Sequence, residues 1–146
     1  MARRHKLPSP RRISLALQAA RIIPLSNWTA TSDGKVLIAE GCVQPTALSG
    51  RYSVRMTYRL RRQPAVTLID PPLAQRDGKW PDHIYPNHEL CLYRPKYREW
   101  TPDSILVETV VPWISEWLSC YETWLVTGAW LGGGEHPESK NGGDRA

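Results

Sequence analysis

The stretch Tyr52-Ser53-Val54-Arg55-Met56-Thr57-Tyr58-Arg59-Leu60 decides the fold. Apolar side chains at 52, 54, 56, 58 and 60 alternate with polar ones at 53, 55, 57 and 59. Period two with one polar face specifies a half-buried strand of an antiparallel sheet. Gly50 opens the run. Arg61, Arg62, Gln63 and Pro64 turn the chain into a second strand, Ala65 to Ile69, which Pro71 and Pro72 end. Upstream, Asp33-Gly34 marks a turn. It leads into a strand from Val36 to Val43, broken at Gly41 and ended by Pro45. Strands joined by short links pair as an antiparallel meander, here of three or four members. Cys42 falls on a strand of this sheet and is expected in the core.

Helical spacing flanks the sheet on both sides. From Arg11 to Ile23, the apolar positions Ile13, Leu17, Ala20 and Ile23 form one stripe, with Ser9 to cap, Pro10 in the first turn and Pro24 to stop. That helix packs on the sheet or docks a partner. After Trp100, Thr101 suits an N-cap and Pro102 a first helical residue. Ile105, Leu106, Val110, Trp113, Ile114, Trp117, Tyr121, Trp124 and Leu125 then recur at helical spacing. Pro112 inside this run predicts a kink or two abutting helices, and Gly128 a C-cap. Cys120, between Trp117 and Trp124, is explained by packing. Residues 1–10 read as a basic disordered arm, 11–137 as one domain, 131–137 as a flexible loop and 138–146 as a disordered tail.

A chain of 146 residues with 41% hydrophobic and 23% charged residues suits one soluble domain. It has no Phe; seven Trp and six Tyr supply the aromatic volume. No apolar run approaches a membrane span, and the basic N-terminus does not read as a signal peptide. Three scattered cysteines without a Cys-x-x-Cys pair argue against a disulfide framework and a zinc site, and suit a reducing cytoplasm. No Gly-x-Gly-x-x-Gly or Walker-type loop is present, so no nucleotide cofactor is expected, and the cysteine spacing leaves no metal expected either. The formal charge of +5 is spread over three clusters without a nucleic-acid motif, so direct nucleic-acid binding is not expected.

Between these elements, residues 70–89 carry Pro71, Pro72, Pro81 and Pro86 and a turn at Asp77-Gly78, and read as irregular. This loop delivers the chain to Leu90-Cys91-Leu92. Long loops in compact domains tend to be functional. His83 and His88 precede the cysteine, and Arg94, Lys96 and Arg98 follow it. Positive charge favours the reactive thiolate, whereas Glu89 opposes it. Composition leaves two readings of Cys91 open: a nucleophile, or a small buried hydrophobe.

The order of elements, with His83, Leu90-Cys91-Leu92 and Trp100-Thr101-Pro102, resembles the ubiquitin-conjugating enzymes. The likeness is to the bacterial members of CBASS antiphage operons. It extends through Pro112-Trp113, Glu116-Trp117-Leu118, Tyr121-Glu122-Thr123-Trp124 and Thr127-Gly128-Ala129-Trp130. The resemblance implies an α/β (α+β) ubiquitin-conjugating-enzyme-like fold: an N-terminal helix, an antiparallel strand meander, an active-site loop and C-terminal helices. It implies an acyl (aminoacyl) transferase in which Cys91 carries a thioester and His83 shapes the site. The implied partner is a cGAS/DncV-like nucleotidyltransferase, whose C-terminal tail would be the acyl donor to an amine on a target protein. In the family an asparagine follows the histidine-proline pair directly. Here Ile84 and Tyr85 intervene and Asn87 lies four residues before Cys91, so Asn87 is a candidate oxyanion donor or a turn residue. His88 and His136 are further candidates, the latter on a glycine-rich segment. A non-catalytic adaptor that binds the nucleotidyltransferase through the same fold is the reading from another class.

Overall fold

The structure, a computed structural model, describes residues 13–93 and 99–131. The expectations for the basic arm, for Ser9 and Pro10, for Arg94, Lys96 and Arg98, and for His136 and the tail lie outside the described residues. The described chain runs through α1 (Leu15–Ile22), β1 (Trp28–Ser32), β2 (Val36–Val43), β3 (Tyr52–Arg59), β4 (Ala65–Asp70) and α2 (Val110–Thr127). The sheet is an antiparallel meander in the order β1-β2-β3-β4. The expected α+β architecture is present. It has four strands, β1 preceding the three read from the sequence, and one described C-terminal helix.

The alternation in β3 is borne out: Tyr52, Val54, Met56 and Tyr58 are buried. Leu60 departs from it, because the strand ends at Arg59 and Leu60 is exposed. The β1–β2 turn forms at Asp33-Gly34. The Asp33 carboxylate accepts the Lys35 and Val36 N–H groups at 2.8 and 2.9 Å, and Gly34 adopts φ +91°. Gly41 does not break β2. It pairs with Trp28, and the indole lies where a Cβ would stand. A glycine inside a strand here marks the close approach of a large ring. Cys42 is not in the core: it is half-buried, and the alternation of β2 puts it on the sheet face away from Leu37, Ala39 and Val43.

The buried stripe of α1 is not the expected one. Leu15, Gln18, Ala19 and Ile22 face inward, while Leu17 and Ile23 are 47% and 60% exposed. Ser14 caps the helix, its hydroxyl accepting the Leu17 N–H at 3.1 Å. Gln18 is completely buried because its amide is satisfied: Oε1 accepts the Leu106 N–H at 2.9 Å, and Nε2 donates to the Ser104 carbonyl at 2.8 Å.

That clamp coincides with a second departure. Thr101 caps a single turn, with the Asp103 N–H on its hydroxyl and the Ser104 N–H on its carbonyl, and no α-helix follows until Val110. A continuous helix from Pro102 would pair Leu106 N–H with the Pro102 carbonyl and the Ser104 carbonyl with Glu108 N–H. Gln18 takes both Leu106 N–H and Ser104 C=O instead. Pro112 therefore falls in the first turn of α2, where a missing N–H costs nothing, and α2 runs as one element from Val110 to Thr127. Gly128 ends it in the left-handed region at φ +80°, as expected. Arg76 donates to the Leu125 carbonyl at 3.2 Å, a cation at the negative end of the helix.

The buried face of α2 carries Trp117, Tyr121 and Trp124, stacked in sequence with centroids 5.2 and 6.3 Å apart. Glu122 ties the helix to the β2–β3 loop. Its carboxylate accepts from Ser49 Oγ at 2.6 Å, Tyr52 Oη at 2.8 Å and Gly50 N at 3.3 Å.

Candidate active site

Asp70 ends β4, residues 71–89 hold no named helix or strand, and the end of this loop is ordered by a miniature hairpin. Ile84 and Leu90 form an antiparallel bridge, and Tyr85 N–H donates to the Glu89 carbonyl at 2.8 Å. The three residues between are Pro86, Asn87 and His88. His88 N–H closes a β-turn on the Tyr85 carbonyl at 2.8 Å and His88 itself has φ +69°. A β-turn with proline second, then a left-handed residue, is a standard three-residue hairpin connection. Asn87 is spent on that turn: its Oδ1 accepts the Glu89 N–H at 3.2 Å. The exposed His88 places its ring 4.3 Å from that of Trp80.

The hairpin is pinned on both sides. Leu90, 3% exposed, donates its N–H to the Val66 carbonyl of β4 at 2.8 Å. The His83 carbonyl accepts two donors, Cys91 N–H at 3.0 Å and Trp117 Nε1–H at 2.9 Å from α2. The buried His83 ring stacks on Trp130 at 4.7 Å, and Trp130 in turn lies 5.2 Å from Trp117. Two residues beyond Cys91, Tyr93 packs on Trp113 and donates its hydroxyl to Gln63 Oε1 at 2.6 Å. His83 thus reaches Cys91 through its backbone, in keeping with a shaping part.

Strand alternation puts His83, Tyr85, Glu89 and Cys91 on one side of the hairpin and Ile84 and Leu90 on the other, toward the core. Tyr85 is the diagonal neighbour of Cys91 across the pair, near enough for its hydroxyl to influence the thiol. The thiol also donates to the Tyr93 carbonyl at 3.7 Å. Burial pushes the Cys91 pKa up, and the Glu99 charge adds to this; the Tyr85 hydroxyl pulls it down. The same burial, together with the nearby Cys91, raises the Tyr85 pKa, so the phenol keeps its proton.

Cys42, Cys91 and Cys120 are all half-buried, so burial does not separate them. What sets Cys91 apart is its place outside any named strand or helix and its tyrosine neighbour. Tyr85 was not singled out from the sequence. The signal that finds it is Pro86-Asn87, five and four residues before the cysteine, a turn pair that places residue 85 diagonal to residue 91. No group of three or more His, Cys, Asp or Glu side chains able to hold a metal occurs among the described residues. No described helix is long and apolar enough to cross a membrane.

Residues 18–137 match the family model described as type II CBASS E2 protein. No curated protein matches the chain.

Proposed function

The chain belongs to the type II CBASS E2 protein family, and on that premise we propose that it is a cysteine-dependent conjugating enzyme acting on a CBASS nucleotidyltransferase. Cys91 carries the C-terminal acyl group of that partner as a thioester and passes it to an amine of a target protein. The observation that carries this reading is the setting of Cys91: a hairpin pinned to β4 and α2, with Tyr85 diagonal to it across the hairpin.

The transfer balances as follows. The amine nitrogen attacks the thioester carbonyl carbon, the C–N bond forms, and the C–S bond breaks. Cys91 leaves as thiolate and the amine proton passes to water. Loading is the reverse type of exchange and requires an acyl donor that already bears a leaving group. His83 shapes the site through its carbonyl. Asn87 supports the turn rather than the acyl group.

The adaptor reading draws on one observation, the burial that holds the thiol protonated. Intact-mass measurement after co-expression with the nucleotidyltransferase decides between the two. The wild-type chain is expected to carry a thiol-sensitive mass shift equal to the partner or its tail. Cys91→Ser is expected to hold a slower-cleaving oxyester, and Cys91→Ala no adduct; Cys42→Ala and Cys120→Ala keep it. An adduct that persists in Cys91→Ala, with full phage protection, overturns the catalytic reading in favour of the adaptor. Nuclease treatment during copurification tests the contact itself: a complex that survives digestion is held by protein surfaces.

A further inference from the structure

We infer that the Tyr85 hydroxyl is the donor that stabilises negative charge at the reacting centre, first on the Cys91 sulfur and then on the acyl oxygen of the tetrahedral intermediate. This rests on the conjugation reading for its biological role, but its chemistry concerns the sulfur alone.

The geometry narrows the choice among the described residues. The hairpin register puts Tyr85 diagonal to Cys91 on the face opposite Ile84 and Leu90, which brings its hydroxyl within reach of the sulfur. The two other polar candidates within the turn are engaged elsewhere: Asn87 Oδ1 holds the Glu89 N–H, and the His88 ring lies against Trp80. The acyl oxygen of a thioester is two bonds from the sulfur. A donor that reaches the sulfur reaches that oxygen by a small shift of the phenol. When an amine adds to the carbonyl carbon, the π pair moves onto this oxygen, and the Tyr85 O–H donates to it. When the intermediate collapses, the pair returns, the C–S bond breaks, and the hydroxyl meets the departing thiolate. The proton stays on the phenol throughout, because burial and the Glu89 carboxylate oppose its ionisation, and the Cys91 thiolate adds to them when it departs. The donor is therefore in place before the charge develops, which is where such groups contribute most.

The test is Tyr85→Phe in the full chain, with a small-molecule thioester as the acyl source so that no partner is needed. Thiol–thioester exchange loads Cys91, and a simple alkyl amine discharges it; Cys91→Ala is the blank. Mass spectrometry follows the discharge rate, and iodoacetamide labelling mapped to Cys91 follows its thiolate fraction across neutral to alkaline pH. Tyr85→Phe is expected to move the labelling profile to higher pH and to slow discharge by about 10²-fold. A thermal melt like that of the wild type shows that the variant folds. Should it not fold, Tyr85→Trp, which keeps a ring and an N–H donor, is measured in its place and is expected to retain more of the rate than Tyr85→Leu. A discharge rate equal to the wild type in a folded donor-free variant overturns the assignment, whatever its labelling profile. If discharge slows but no adduct with the nucleotidyltransferase ever forms, the role of Tyr85 stands and the conjugation reading falls.

Discussion

Replacing Gln18 by leucine removes a clamp while keeping nearly the same volume, so the effect isolates hydrogen bonding from packing. Gln18 is fully buried, and its amide serves the Leu106 N–H at 2.9 Å and the Ser104 carbonyl at 2.8 Å. Both backbone groups lose their partner in Gln18→Leu. Leaving a buried polar group unsatisfied costs about 1–3 kcal/mol each. Extra apolar burial returns about 1 kcal/mol. The net loss is about 1–5 kcal/mol, which for a chain of this size lowers the melting temperature by roughly 3–15 °C. Urea unfolding followed by circular dichroism and Trp fluorescence reads it.

Gln18→Glu adds a pH signature. A protonated carboxyl both accepts from Leu106 N–H and donates to the Ser104 carbonyl. The carboxylate only accepts, and it faces that carbonyl oxygen. Its folded pKa is therefore raised, so stability is fullest below the ordinary Glu value of about 4.3 and is lost as pH rises through the folded pKa. A Gln18→Leu protein within about 0.5 kcal/mol of wild type would refute the clamp. So would a Gln18→Glu protein whose stability does not fall with rising pH.

Three further outcomes follow from particular contacts. Gly41→Ala drives a methyl group into the Trp28 indole, whose Cε3 is the most distant of the three nearest ring atoms at 2.6 Å, and is expected to cost about 2–4 kcal/mol in thermal or chemical unfolding. Wild-type stability there would mean that Trp28 does not cover Gly41. Glu122→Ala strips Ser49, Gly50 and Tyr52 of a shared carboxylate, and is expected to cost about 1.5–3 kcal/mol and to speed amide exchange in the β2–β3 loop ahead of β1. Because burial raises the Cys91 pKa, its alkylation is expected to climb only above the ordinary thiol range near pH ~8.5, and folded stability to decline as pH rises from that range through the folded pKa. A labelling midpoint below that range in the wild-type chain would show that cationic neighbours outweigh burial.

Local pattern was enough for the elements whose two faces meet different solvents. Period two from Tyr52 to Tyr58 marked the buried face of β3, helical spacing marked the face of α2, and Asp33-Gly34 and Gly128 marked the ends of elements. The family resemblance was carried by short motifs along the whole chain and is matched over residues 18–137. Pattern misled wherever a polar group is buried by a distant partner. The stripe Leu15, Gln18, Ala19 and Ile22 is hidden to a reading that places glutamine outside. Only contacts 86 and 88 residues away make its burial favourable, and the same contacts accompany the delayed start of α2. Gly41 looked like a break because the ring that fills its place comes from another strand. At Cys91, sequence supplied the thiol and its neighbours along the chain. The thiol's ionisation depends on desolvation and on Tyr85 across a hairpin. Both are properties of how the chain folds back on itself, so only the tertiary structure decides them.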